Sequence, residues 1–261
     1  MNRHKTRVCG ALLASVVLCG WPCLPCAAVA DTRAALSRLA APAGAQSTPA
    51  TAQFITKWGS DLISDGHFGW PYSLAVDTGG TVYVSDTENN RIQKFDSNGN
   101  LIAKWGTRGA GDGQFLFPAG IAIDSGVNVY VCDSGNSRVE VFTSAGTFIR
   151  NVGHSGNGDG ELLAPSGVAV DRFGNVFVAD LGNRRVQKFD RNGNFILKWG
   201  SSGTGPGQFT DAQGIGVDSS GNVYVADTSN NRIQVFDPSG AFIKIIGVGA
   251  VATANCSPAW A

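Results

Sequence analysis

One short passage recurs four times in this chain at a spacing of 47 residues. Residues 81–96 read TVYVSDTENNRIQKFD, 128–143 read NVYVCDSGNSRVEVFT, 175–190 read NVFVADLGNRRVQKFD and 222–237 read NVYVADTSNNRIQVFD. A period of this size marks stacked copies of one supersecondary unit, none of which buries its apolar surface alone. The fold must therefore offer four equivalent environments to four equivalent segments.

Each unit carries four apolar segments separated by turn signals. In the fourth unit they are GIGVD (214–218), NVYVAD (222–227), RIQVFD (232–237) and AFIKIIG (241–247), with Ser-Ser-Gly-Asn, TSNN and Pro-Ser-Gly between them. Short β-branched and aromatic runs with Gly/Asn turns read as strands joined by hairpins. With 35 glycines and no 3.6-residue periodicity after the first thirty residues, helix has no foothold. The second segment is apolar at consecutive positions (Val82-Tyr83-Val84 and its counterparts), so both of its faces must be buried. The first uses slim residues (Ala75, Ala122, Ala169, Gly216), suited to crowding at an axis. The fourth carries Lys104, Arg150, Lys198 and Lys244, charges that blunt an edge strand. Slim inside, apolar in the middle and charged outside is the radial gradient of a β-propeller blade, so the expected class is all-β.

The pattern P-x-G-I-A-V-D…G-N-V-Y-V-A-D-T-x-N-N-R-I-Q-V-F-D…G-x-F-I-x-x-W-G resembles the NHL repeat, over residues 54–247. The chain is thus similar to bacterial-type secreted NHL-repeat proteins, and the resemblance implies a propeller that typically has six blades. The sequence supplies four complete units (60–106, 107–153, 154–200, 201–247) and one orphan outer strand, Gln53 to Gly59. The expected architecture is therefore an incomplete, open ring of the six-blade type, followed by an irregular tail over 248–261. Its end blades are expected to self-associate, with tight four-blade closure as the alternative.

The N-terminus reads as an export signal. Arg3, Lys5 and Arg7 precede an apolar run from Val8 to Trp21, and Ala28-Val29-Ala30 is a small-x-small cleavage pattern. Cleavage before Asp31 predicts a secreted or periplasmic protein, with residues 31–53 as an Ala/Pro-rich tether and no later segment apolar enough to span a membrane. Removing those three cations from 20 leaves 17 basic against 20 acidic side chains, a net charge of −3 with no like-charge block. Nucleic acid and anionic membrane are therefore not expected partners. Four of six cysteines leave with the signal; Cys132 and Cys256 remain, and Cys132 shares a column with Ser85, Ala179 and Ala226, which marks a small buried slot.

Charges that return in every unit are expected to be structural. Asp86, Asp133, Asp180 and Asp227 precede Arg91, Arg138, Arg185 and Arg232 by five residues, and each pair is expected to hold its hairpin, the Asp accepting backbone N–H groups across the turn. Asp77, Asp124, Asp171 and Asp218 follow the same logic. DSNGN (96–100) and DRNGN (190–194) resemble the start of a calcium loop but lack its remaining ligands, so they read as turns. After the signal only His67 and His154 remain, in non-equivalent positions, and no Gly-x-Ser-x-Gly elbow exists. The amidating lyases with this type of propeller use such histidines. No RING-type Cys/His module accompanies the repeats. No catalytic residue, metal or cofactor is expected.

Positions that break the repeat are the better binding candidates. On one face, the crossover columns read Trp70, Phe117, Ala164, Asp211 and Tyr72, Ala119, Ser166, Gln213. The neighbouring loop columns read Asn90, Ser137, Arg184, Asn231 and Glu88, Gly135, Gly182, Ser229. Trp70, Tyr72, Glu88, Phe117, Arg184, Asp211 and Gln213 therefore form a candidate surface grading from aromatic to polar, suited to a protein, peptide or glycan. Inter-blade packing by Trp70 and Phe117 is the alternative. The leading expectation is a non-enzymatic binding propeller; a lyase or lactone hydrolase acting in the central channel, or an incomplete paralogue, are the alternatives.

Overall fold

The computed structural model describes residues 64–247. The signal, the tether, the orphan strand and the tail lie outside the described residues. Each repeat is a four-stranded antiparallel meander. The first blade comprises Pro71–Val76, Val82–Asp86, Arg91–Phe95 and Leu101–Trp105, and the second Pro118–Ile123, Val129–Asp133, Arg138–Phe142 and Phe148–Val152. The third comprises Gly167–Val170, Val176–Asp180, Arg185–Phe189 and Phe195–Trp199, and the fourth Ala212–Val217, Val223–Asp227, Arg232–Phe236 and Phe242–Ile246. The described helical content is three single 3-10 turns, at Ser134–Asn136, Leu181–Asn183 and Thr228–Asn230.

Aspartates set the hairpins. Asp77 Oδ1 accepts the N–H groups of Gly79 and Thr81, both at 2.9 Å, and Asp96 Oδ1 accepts those of Asn98 and Asn100 at 2.9 and 2.8 Å. Gly80 then turns the chain at φ +81. Its counterpart in the second blade is Val127, held at φ +61, a strained setting for a β-branched residue. The pairing of third and fourth strands carries a bulge beside the same Phe in every blade (Phe95, Phe142, Phe189, Phe236).

Slim residues are needed at the axis because backbones touch there. A Cβ on Gly120 would lie 2.7 Å from Gly167 Cα, and one on Gly167 would lie 2.3 Å from the Gln213 carbonyl oxygen. Gly120 N–H donates to Ser166 O at 3.0 Å, and Ser166 Oγ donates to Ala212 O at 2.9 Å, so successive first strands are tied together.

The core lies between blades. The leading face of one blade packs on the trailing face of the next: Tyr83 and Ile92 meet Val129, Val131 and Phe142, and the next two junctions repeat the arrangement. Each junction removes several large side chains from water, at about 1.5–3 kcal/mol for each fully buried one. Both faces of the second strand are buried in the first three blades. The fourth departs from that expectation: Val223 and Val225 are buried but Tyr224 is only half-buried, because no described blade follows it. Cys132 is fully buried and unbridged, in the slot its column suggests.

Candidate functional site

The Asp–Arg pairs are framework. In all four blades Arg Nε donates to Asp Oδ2, at 2.6 Å (Arg91–Asp86), 2.9 Å (Arg138–Asp133), 2.7 Å (Arg185–Asp180) and 2.8 Å (Arg232–Asp227), with the carboxylate side chains fully buried. The other carboxylate oxygen accepts a backbone N–H from the crossover seventeen residues upstream: Gly69 at 2.6 Å, Leu116 at 2.7 Å, Leu163 at 2.7 Å and Thr210 at 3.0 Å. This differs from the expectation of N–H groups accepted across the turn. There the Asp side chain instead meets an Asn, as Asp180 meets Asn183. The physical reason is reach: the short 3-10 turn satisfies its own backbone, whereas the crossover has open donors. The guanidinium spans the same crossover, Arg185 Nη2 donating to Gly158 O and Glu161 O, both at 2.7 Å.

That clamp fixes what comes next in the chain. The residue after each held N–H is Trp70, Phe117, Ala164 or Asp211. The first three adopt left-handed backbone, at φ +54, +54 and +46. Phe117 N–H is in turn held by Asn90 Oδ1 of the preceding blade at 3.0 Å, and Ala164 N–H by Ser137 Oγ at 3.3 Å. Trp70 is 58% exposed and Phe117 54%. Two large aromatics are therefore carried outward on a rigid support, in a conformation that costs a bulky L-residue energy. Their exposure is incompatible with inter-blade packing.

The other candidates divide into two groups. Glu88 and Arg184 are exposed on the same loops, Arg184 Nη1 donating to Ser202 Oγ at 3.3 Å, and Asp211 Oδ2 accepts from Ser229 Oγ at 2.5 Å. Tyr72 and Gln213 are half-buried and face the axis, where with Ser73, Gly120 and Ser166 they line a cavity of about 20 Å³, room for roughly one water. The structure thus gathers Trp70, Glu88, Phe117, Arg184 and Asp211 at the loop rim, while Tyr72 and Gln213 belong to the channel wall. On the opposite face Val76, Asp77, Ile123, Asp124 and Val127 line a shallow cavity of about 200 Å³.

One titratable group escaped the column reading. Gln93, Gln187 and Gln234 are fully buried, and the fourth member of their column is Glu140, equally buried. Each glutamine Oε1 accepts a crossover N–H, and its Nε2 donates both to a crossover carbonyl and to the blade's Asp Oδ2, as in Gln93 to His67 O at 2.6 Å and to Asp86 at 3.0 Å. Glu140 Oε1 keeps its part, accepting Gly113 N–H at 3.1 Å and pairing with Arg138 at 2.9 Å. Its Oε2 is buried with no partner. Burial pushes its carboxyl up to about 7, against the opposing pull of Arg138, with Asp133 and Asp112 adding to the rise. Burial also raises Asp133 above its ordinary value.

The two histidines stand in different crossovers. His67 Nδ1 lies 2.6 Å from Ser64 Oγ, and His154 lies 3.6 Å from Glu161. Among the described residues no three His, Cys, Asp or Glu side chains converge as a metal site.

Comparison with known proteins fits this geometry. The NHL repeat model matches residues 68–95, 115–142, 162–189 and 209–236, which in each blade run from the crossover to the end of the third strand. No curated protein matches the sequence as a relative. Among solved structures, a streptogramin B lyase superposes with a TM-score of 0.56 at 15% identity, covering 70% of this chain and 56% of that one. A chain of a nidogen–laminin complex gives 0.55 at 21%, covering 70% and 66%, and hydrazine synthase of Kuenenia stuttgartiensis gives 0.53 at 14%, covering 74% and 52%. The chain spans about half to two thirds of the length of these structures, and identities this low establish the fold alone. Four repeats, one at the heart of each blade, identify the chain as a member of the NHL-repeat β-propeller family.

Proposed function

We propose that the chain is an exported, non-enzymatic propeller that binds a protein, peptide or glycan partner on its crossover face, with Trp70 and Phe117 as anchors. The carrying observation is that both aromatics are more than half exposed while held at φ +54. Strained backbone tends to persist where the surrounding structure enforces it for a use, and rigid exposed aromatics are the usual hot spots of recognition. Glu88, Arg184 and Asp211 on the same rim supply charges of both signs for orientation. A nidogen–laminin complex among the similar folds supports a binding use of such blades, as the lyase structures do for the enzymatic alternative. The binding reading is favoured because the axial cavity is water-sized whereas the rim carries two exposed aromatics.

The test is to probe the purified chain on peptide and glycan arrays, then titrate the best ligand into wild type, Trp70→Ala and Phe117→Ala. Each variant should lose about 2 kcal/mol or more of binding, with its melting temperature unchanged. Wild-type affinity in both variants, or a loss seen only in thermal stability, would count against the proposal.

A further inference from the structure

The one acid in a column of amides lies under the crossover that carries Phe117. In the other three blades the glutamine at this position is a three-way strut. Gln93, Gln187 and Gln234 each accept a crossover N–H at Oε1, from Gly66, Gly160 and Gly207 at 2.9, 3.0 and 2.8 Å. Each Nε2 donates to a crossover carbonyl twenty-six residues upstream (His67, Glu161 and Gln208) and to the Asp Oδ2 of its own blade. The amide thus bridges two groups that can only accept, a carbonyl and a carboxylate.

Glu140 keeps half of this strut. Its Oε1 accepts Gly113 N–H at 3.1 Å, as the glutamine oxygens do in their blades. Its Oε2 takes the place of the amide nitrogen, buried and without a partner. By the same spacing the acceptors at this end are Gln114 O and Asp133 Oδ2. An ionised Oε2 repels both, whereas a protonated one donates. The neighbouring cation does not fill the gap. Arg138 Nη2 has two hydrogens and already serves Gly111 O at 2.7 Å, Gln114 O at 3.0 Å and Glu140 Oε1 at 2.9 Å, while its Nε serves Asp133. The other charges that face Glu140 are Asp133 from the second strand and Asp112 from the crossover, both of the same sign as its ionised form. Its cross-strand neighbours, Val131 and Asn151, carry no charge.

We infer that Glu140 is a proton-operated latch on the second crossover: protonated, it fastens residues 109–117 as the glutamines fasten their sisters, and ionised, it releases them. The release reaches the rim. Gln114 lies just ahead of Phe117, and Leu116 N–H between them is held at 2.7 Å by Asp133, the carboxylate that an ionised Glu140 crowds. Burial lifts the Glu140 carboxyl to about 7, which sets the latch to operate across the neutral range. On the binding role proposed above, a partner is then held more tightly in acid than at pH 8 through Phe117. Trp70, whose crossover is fastened by Gln93, is unaffected.

Amide hydrogen exchange on the free chain, corrected for the intrinsic rate at each pH, tests the latch with no ligand present. Under native conditions crossover amides exchange by local opening. From pH 6 to pH 8 protection at Gln114 and Leu116 should fall about tenfold, the loss expected as a group of value about 7 gives up its proton. Glu161 and Leu163 hold the same positions in the third crossover, over Gln187, and should not change. Glu140→Gln, which places the sisters' residue in this seat, should abolish the fall at Gln114 and Leu116. A wild-type profile in the second crossover parallel to that in the third overturns the inference, and so does a fall that survives in Glu140→Gln. An equal loss in all four blades also overturns it, because the whole chain and not one crossover would then be opening. Exchange is read without a partner, so a failure of the binding proposal leaves this result standing.

Discussion

Replacing Glu140 by Gln should make the protein more stable at high pH and leave it nearly unchanged at low pH. Three sister blades show what the seat asks for: an amide whose nitrogen donates to a crossover carbonyl and to the Asp carboxylate. A protonated Glu140 supplies that donor; an ionised one sets a second buried charge beside Asp133 with only Arg138 to offset it. The folded value of about 7 lies above the ordinary 4.5, so the folded state binds the proton more tightly. Stability from this group is therefore complete below pH 4.5 and is lost as pH rises through about 7. The gap corresponds to at most about 3.4 kcal/mol at about 1.36 kcal/mol per pH unit, and screening by Arg138 and nearby solvent brings the expectation to about 2 kcal/mol. Urea titrations of both proteins at pH 5 and pH 8 measure it. Carboxylates whose values lie below normal, such as Asp96 and Asp190, weaken both proteins equally in acid and cancel in the difference. At pH 8 the variant should melt about 4–8 °C above wild type. Parallel pH profiles for the two proteins, or a variant weaker than wild type at pH 8, would refute the argument.

Asp180→Asn should cost about 3 kcal/mol or more in urea unfolding, since it turns a buried acceptor of Arg185, Asn183, Gln187 and Leu163 into a group that also donates. Lys198→Ala, which removes the exposed pair with Asp159, should change stability little in the same assay. N-terminal sequencing of protein exported by its native host should begin at Asp31; an intact Met1 would overturn the export reading.

The blades were legible because every level of the sequence agreed: the period, the turn residues and the radial change in composition describe one object. The Asp–Arg columns were legible as structure for the same reason. Their partners were not, because a carboxylate's acceptor capacity says nothing of which donor lies in reach, and the crossover N–H seventeen residues upstream is close only in three dimensions. Trp70 and Phe117 were marked by breaking the repeat, but their exposure depended on a backbone twist that no side-chain pattern encodes. Glu140 could have been found from one letter, a single acid in a column of amides. Its significance lies in burial, which a column does not display. Val127 is similar: it replaces a turn glycine, and only the φ angle reveals the strain.

The uncovered face of the fourth blade also bears on how the protein comes apart. In a stack where each unit leans only on its neighbours, a terminal unit with one junction opens before units with two. The strand Phe242–Ile246, exposed at all five positions, is where fraying would begin, and each strand lost uncovers the next. Proteases cut what opens, and the export proposed above would bring the chain among them. Any ligand that seats on that end lowers the opened fraction by mass action, so its removal would shorten the molecule's lifetime.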